Sequence, residues 1–157
     1  MEYIENFTFD ELNIGDKAST ERTLTEKDLI LFAAVSGDVN PVHLDAEYAA
    51  KTPFKQRIAH GIWSASLISA TLATVMPGPG TIYLGQSLKF LRPVLLGDRL
   101  KIEVEVAGKN DKKKGVQLNC LVTNQDGKPV VAGTADVLAP TEKTKTKRPI
   151  LPEISIS

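Results

Sequence analysis

The clearest alternation of apolar and polar residues lies late in the chain. Leu100, Ile102, Val104 and Val106 alternate with Lys101, Glu103 and Glu105, the period-two pattern of a strand buried on one face. Val116–Thr123 and Val130–Leu138 predict two further strands, joined by hairpin-type turn residues from Asn124 to Gly127. Ile82–Leu91 predicts another, set off by the turn Pro77-Gly-Pro-Gly80, and Lys17–Thr23 carries a weaker strand signal. Between these come helices. Thr25-Glu26-Lys27-Asp28 resembles a capping box with aspartate in the glutamate place. It opens a helix through Leu29, Ile30, Phe32 and Ala33 to about Ser36, which Gly37 is suited to stop in a left-handed conformation. Asp38 to Pro41 reads as a turn, because proline biases Asn40 away from helix. Asp45 then caps a short helix, Ala46–Lys51. Gly61 to Val75 reads as the long central helix, with Ile62, Trp63, Ala65, Leu67, Ile68, Leu72 and Val75 spread around its circumference. Helices followed by a strand meander predict an α+β fold, an antiparallel sheet around one buried helix. The tail from Pro140, rich in Lys, Thr and Pro, is expected to lie extended over the surface.

Composition narrows the function. The 157 residues fit a single domain spanning 1–157. Nineteen basic side chains balance nineteen acidic ones, so no global field favours nucleic acid or a membrane surface. The single cysteine, Cys120, has no internal partner and alternates with Val116, Leu118 and Val122, which predicts a buried strand position and a reducing, cytoplasmic setting. The first dozen residues carry acids and no apolar core, so no signal peptide is expected there. Between Arg57 and Lys89 there is no Lys, Arg, Asp or Glu. Ser64, Ser66, Ser69, Thr71 and Thr74 interrupt that run, so it predicts a helix buried inside a protein rather than one crossing a membrane.

The candidate chemistry lies in one region. The chain has two histidines, His43 and His60. Asp38 and His43 stand five apart across a proline-containing turn, which can bring an acid and an imidazole onto one water for general acid–base catalysis. Gly61 opens the central helix, where an N–H at a helix N-terminus can receive a developing oxyanion. Ser69 and Leu72 on that helix have two readings, as the wall of an apolar slot for a substrate tail or simply as core, which is what an apolar helix usually is. His60 has two readings, as an orienting group beside the oxyanion donor or as a cap and packing residue; the second is the simpler. The spacing of Asp38, His43 and His60 matches no common zinc motif, so no metal is expected.

These residues carry a resemblance. Phe32-Ala-Ala-Val-Ser-Gly-Asp-Val-Asn-Pro-Val-His-Leu-Asp45, Ile58-Ala-His-Gly61, Pro77-Gly-Pro-Gly-Thr-Ile-Tyr-Leu-Gly-Gln86 and Phe90-Leu-Arg-Pro-Val-Leu-Leu-Gly-Asp98 are similar to the MaoC-like, R-specific 2-enoyl-CoA hydratases of the hot-dog superfamily. The similarity covers a core of about 12–140 and leaves a C-terminal tail, 141–157. It extends to the bacterial members that supply polyhydroxyalkanoate synthesis. It implies a hot-dog fold, a homodimer joined edge to edge, and reversible syn hydration of trans-2-enoyl-CoA with no cofactor. By position it implies Asp38 and His43 as the catalytic pair, Gly61 N–H on the thioester oxygen, Ser69 as the active-site serine and Leu72 facing the acyl tail. Lys89 and Arg92 are candidates for the CoA phosphates only because cations suit them, and a plain surface role fits them equally well. Two rivals share the same parts: an acyl-CoA thioesterase, which would release free thiol from a saturated substrate, and a non-catalytic acyl-CoA-binding module, which would bind without turnover.

Overall fold

The computed structural model describes residues 2–157. In chain order the elements are β1 (Tyr3–Glu5), β2 (Lys17–Thr23), α1 (Glu26–Ser36), α2 (Pro41–Leu44), α3 (Ala46–Ala50), α4 (Gly61–Thr74), β3 (Ile82–Phe90), β4 (Arg99–Asn110), β5 (Gly115–Thr123), β6 (Pro129–Leu138) and β7 (Lys145–Lys147). Five strands form one antiparallel sheet in the order β2-β4-β5-β6-β3. The alternation on β4 does what its period requires: Leu100, Ile102, Val104 and Val106 are buried, and Val116, Leu118, Cys120 and Val122 of β5 join them. Register stacks Val104 opposite Cys120, itself opposite Gly133 of β6. Trp63, Ile68 and Leu72 of α4 share that core. Pairing shifts between Val106 and Gly108 and between Tyr83 and Gly85 increase local twist and bend, which lets the sheet curve round a single helix. At Gly133 a side chain would run into the Ser87 carbonyl of β3, so only glycine permits that strand crossing. The result is the α+β hot-dog arrangement, a curved antiparallel sheet with α4 in its concavity.

The weakest strand signal proves real. Residues Lys17–Thr23 pair in unbroken register with Arg99–Glu105 as an edge strand. Thr20 and Thr71 share a hydroxyl hydrogen bond of 2.7 Å that ties this edge to α4. The turn from Asp38 holds and runs directly into a helical turn that the pattern does not show, Pro41–Leu44, with Pro41 at its first position and the Asn40 side chain accepting from Val42 N–H. The tail lies extended and exposed as expected, and within it Lys145–Lys147 pairs with Tyr3–Glu5 in a separate two-stranded ribbon. Both depend on partners that hydrophobic periodicity does not report. From Arg148 onward the tail is exposed, and Lys27 donates to the Ile154 carbonyl.

Candidate active site

Local hydrogen bonds build the corner that carries Asp38 and His43. Gly37 ends α1 at φ 77°, and its N–H donates to Ala33 O. Asp38 N–H donates to Ser36 Oγ at 3.1 Å, and Asp38 Oδ1 accepts from Asn40 N–H at 3.1 Å. These are the short side-chain-to-backbone closures that Ser, Asp and Asn favour in turns. Pro41 then sets the first helical residue, and His43 N–H donates to Asn40 O at 3.0 Å. Asp38 is left at the surface with half its side chain exposed, while the His43 side chain is 9% exposed.

The geometry between them sets what the two groups can share. His43 Nδ1 lies 2.8 Å from Ile58 O. A carbonyl only accepts, so Nδ1 carries the proton, and Nε2 of the neutral ring keeps its lone pair. That Nε2 stands 3.9 Å from Asp38 Oδ2. The separation is long for a direct hydrogen bond, but one water about 2.8 Å from each atom spans it with an angle near ~90° at its oxygen. Such a water donates to both acceptors and turns its own lone pairs outward.

The stretch from Ile58 to Gly61 is fixed against the Leu91–Asp98 loop. Ala59 N–H donates to Val94 O at 2.8 Å, and Ile58 bridges Leu95. His60 is the N-cap residue of α4, yet its side chain makes no capping bond. Instead Nε2 lies 3.0 Å from the Asp38 carbonyl oxygen, and the ring stacks on His43 with centroids 3.8 Å apart and planes 24° apart. Next to it, the Gly61 N–H has no acceptor among the described residues. The sequence favoured the packing role for His60; its adjacency to Gly61 was the only signal of more.

Two clefts flank α4. One, of about 280 Å³, is lined by Gly61, Ser64, Phe54, Phe90, Arg92 and Val131 among others. The second, of about 340 Å³, lies between Ile62, Ala65, Ser66 and Ser69 on the helix and Tyr83–Gln86 on β3. Residues 62, 65, 66 and 69 recur at the i, i+3, i+4, i+7 spacing of one helix face, and Ser69 is half-buried there. Burial pushes the Tyr83 phenol up to about 12, with a smaller push from Cys120, so it stays neutral and donates to Gln86 Oε1. Leu72 lines neither cleft; it is 1% exposed and belongs to the core. Arg92 sits on the rim of the Gly61 cleft and donates to Pro129 O, whereas Lys89 is exposed on β3.

Asp38, His43 and His60 bring one ligand-type atom each within 4.8 Å of the others. The arrangement does not suit a metal ion. The two imidazoles are stacked, so their in-plane lone pairs run side by side instead of converging, and one nitrogen of each ring faces a carbonyl.

The chain is similar to proteins already characterised. Residues 11–126 match the model of the MaoC like domain. An (R)-specific enoyl-CoA hydratase of Rhodospirillum rubrum is 46% identical over 132 residues, covering 84% of this chain and 91% of that protein. The solved structure of R-hydratase PhaJ1 from Pseudomonas aeruginosa, in its unliganded form, is 56% identical and superposes with a TM-score of 0.95 over 99% of both chains. The (R)-hydratase of A. caviae involved in PHA biosynthesis is 42% identical, with a TM-score of 0.80 over 82% of this chain and 98% of its own.

Proposed function

The chain belongs to the MaoC-like family and works as an (R)-specific enoyl-CoA hydratase; on that premise we propose how its residues carry the reaction. The observation that supports the reading is the 3.9 Å gap between His43 Nε2 and Asp38 Oδ2, with the histidine tautomer set by Ile58 O. A water held there attacks C3 of a trans-2-enoyl-CoA. As the C3–O bond forms, the water gives a proton to the pair, and the π electrons move onto the thioester as an enolate. Gly61 N–H holds the enolate oxygen at the N-terminus of α4. The enolate collapses as the pair returns that proton to C2 on the same face, giving the (R)-3-hydroxyacyl-CoA and leaving the pair as it began. Ser69 and the cleft between α4 and β3 seat the acyl portion, and Arg92 reaches toward the CoA phosphates. CoA is part of the substrate, and the scheme needs no metal or other cofactor.

The working unit in this reading is a homodimer. Among the described residues the outer edge of β3 has no neighbour in the sheet, and Ile82, Leu84, Phe90 and the adjacent Ile62 are exposed apolar residues around it. A second copy pairing there closes the cleft between α4 and β3. Nothing in the balanced charge recommends a nucleic acid, and among the described residues no helix is long and apolar enough to cross a membrane. The single cysteine is buried and free, which suits a cytoplasmic enzyme. Provision of hydroxyacyl-CoA for polyester synthesis is the role that the A. caviae relative suggests.

The test follows loss of the enoyl-thioester absorbance with trans-2-butenoyl- and trans-2-octenoyl-CoA and assigns the product's configuration. Asp38→Asn and His43→Gln are expected to lower kcat by at least ~10², the scale of general acid–base catalysis, with circular dichroism unchanged. Near-normal turnover in both variants would remove the proposed roles.

A further inference from the structure

We propose that His60 is a positioning residue for hydration: its Nε2–H tethers the Asp38 loop, and its ring sets the plane of His43. The proposal rests on Asp38 and His43 being the catalytic pair. The two simpler roles for His60 do not fit its contacts. As a cap it fails, because the side chain makes no hydrogen bond to the first turn of α4, where Ser, Thr, Asp or Asn would. As packing alone it is a poor choice, because the residue is 2% exposed and its Nδ1 is buried without a partner. A phenylalanine or leucine would fill that volume without stranding a polar atom.

What the imidazole does is touch the parts that must stay aligned. Nε2 lies 3.0 Å from the Asp38 carbonyl oxygen, so the ring is the Nε2–H tautomer and donates. This bond crosses from the start of α4 to the exposed corner that carries the carboxylate. One imidazole stacks on the other at 3.8 Å and 24°, and Phe32 of α1 lies against His60 with centroids 5.0 Å apart. The His43 ring is thereby held by an edge, at Ile58 O, and by a face, at His60. The next residue is Gly61. Because His60 turns its side chain to Asp38 rather than to the helix, it does not compete for the first-turn amides that the thioester oxygen requires. A single ring therefore joins the backbone of the loop that carries the carboxylate to the base, from the residue that precedes the oxyanion donor. A small displacement of such a group costs rate much more than affinity.

The decisive experiment is a double-mutant cycle on the full-length protein, each variant checked by circular dichroism and light scattering. His60→Phe keeps a flat ring and removes the tether. It is expected to lower kcat ~10- to 100-fold and to move KM less than about threefold. His60→Gln restores an N–H donor of similar reach and is expected to recover a good part of that loss. In the Asp38→Asn background, His60→Phe is expected to add less than about threefold, because its effect runs through Asp38. An unchanged kcat in His60→Phe, no recovery in His60→Gln, or the full loss repeated in the Asp38→Asn background would each overturn the proposal. Nitrogen-15 imidazole shifts of the unmutated protein give a reading that does not depend on any variant folding. They should show His60 protonated at Nε2, and a neutral Nδ1–H ring would sink the tether. Normal turnover in Asp38→Asn would remove the catalytic pair itself, whereas an inactive Asp38→Asn beside a normal His60→Phe removes only the positioning role.

Discussion

At Gly61 a methyl group would meet Phe90 Cδ1 at 3.2 Å and Cε1 at 3.3 Å. The Phe90 ring is half exposed and can give way, so the fold should tolerate the change. The donor should not, because the methyl and the displaced ring crowd the space in front of the amide. Gly61→Ala is therefore expected to lower kcat/KM for butenoyl-CoA by ~10- to 100-fold, the scale of losing an oxyanion contact, while the thermal midpoint changes little. Equal losses of rate and midpoint would point to a structural glycine instead. Leu72 behaves in the opposite sense. It is a core residue, and Leu72→Ala should cost about 2–5 kcal/mol in urea unfolding before any change in acyl preference is read. The identity of Asp38, His43 and Gly61 as candidates was legible in the residue pattern. The tautomers of both histidines were not, because they are dictated by the carbonyls of Ile58 and Asp38, one of them fifteen residues away from its ring.

Among the elements, α1 was legible almost atom for atom, because caps are local. Thr25 Oγ1 accepts from Asp28 N–H, and the Asp28 carboxylate accepts from Thr25 N–H at 3.0 Å. Arg22 of β2 adds a 2.6 Å contact. Desolvation opposes the charge on Asp28, but the bonds from Thr25 and Arg22 outweigh it and hold its carboxyl below the usual range. A group depressed in the folded state stabilises above its unfolded pKa, about 3.9, and loses that contribution as pH falls through the folded value. Asp28→Asn should thus cost about 1–2 kcal/mol at pH 7, with the gap to the unmutated protein closing below roughly pH 4. Urea titrations at pH 7 and pH 3 check it, and an equal gap at both would show that the charge is irrelevant. The edge strand β2 and the single turn α2 were harder to see. β2 carries few buried side chains, and α2 is too short to show a period; each is secured by partners elsewhere, Arg99–Glu105 for one and the Asn40 cap for the other.

For the whole molecule, the unpaired face of β3 matters most. Leu84 is 59% exposed in the single chain and stands beside the cleft that holds Ser69. A charge placed there should block a second copy from pairing, since charged edges are how sheets avoid association. Leu84→Lys is expected to be monomeric by light scattering and to lose octenoyl-CoA hydration more steeply than butenoyl-CoA hydration, because the longer tail depends more on the closed cleft. A dimer of unchanged mass would move the interface elsewhere on the surface.

The sequence by itself determined the β4-β5-β6 meander, the capped first helix and the charge-free helix at the centre, and it singled out Asp38, His43 and Gly61 as candidates. Periodicity, cap chemistry and turn chemistry act over a few residues, and that range is what a chain reports directly. Only the tertiary structure decided the rest. It closed β3 against β6 and left its other edge open, carried Leu72 into the core, and paired Lys145–Lys147 with Tyr3–Glu5. It also turned His60 from a cap position to the Asp38 carbonyl. Each of these depends on atoms far apart in sequence meeting at hydrogen-bond or contact distance, and the curvature of the sheet around α4 brings them there.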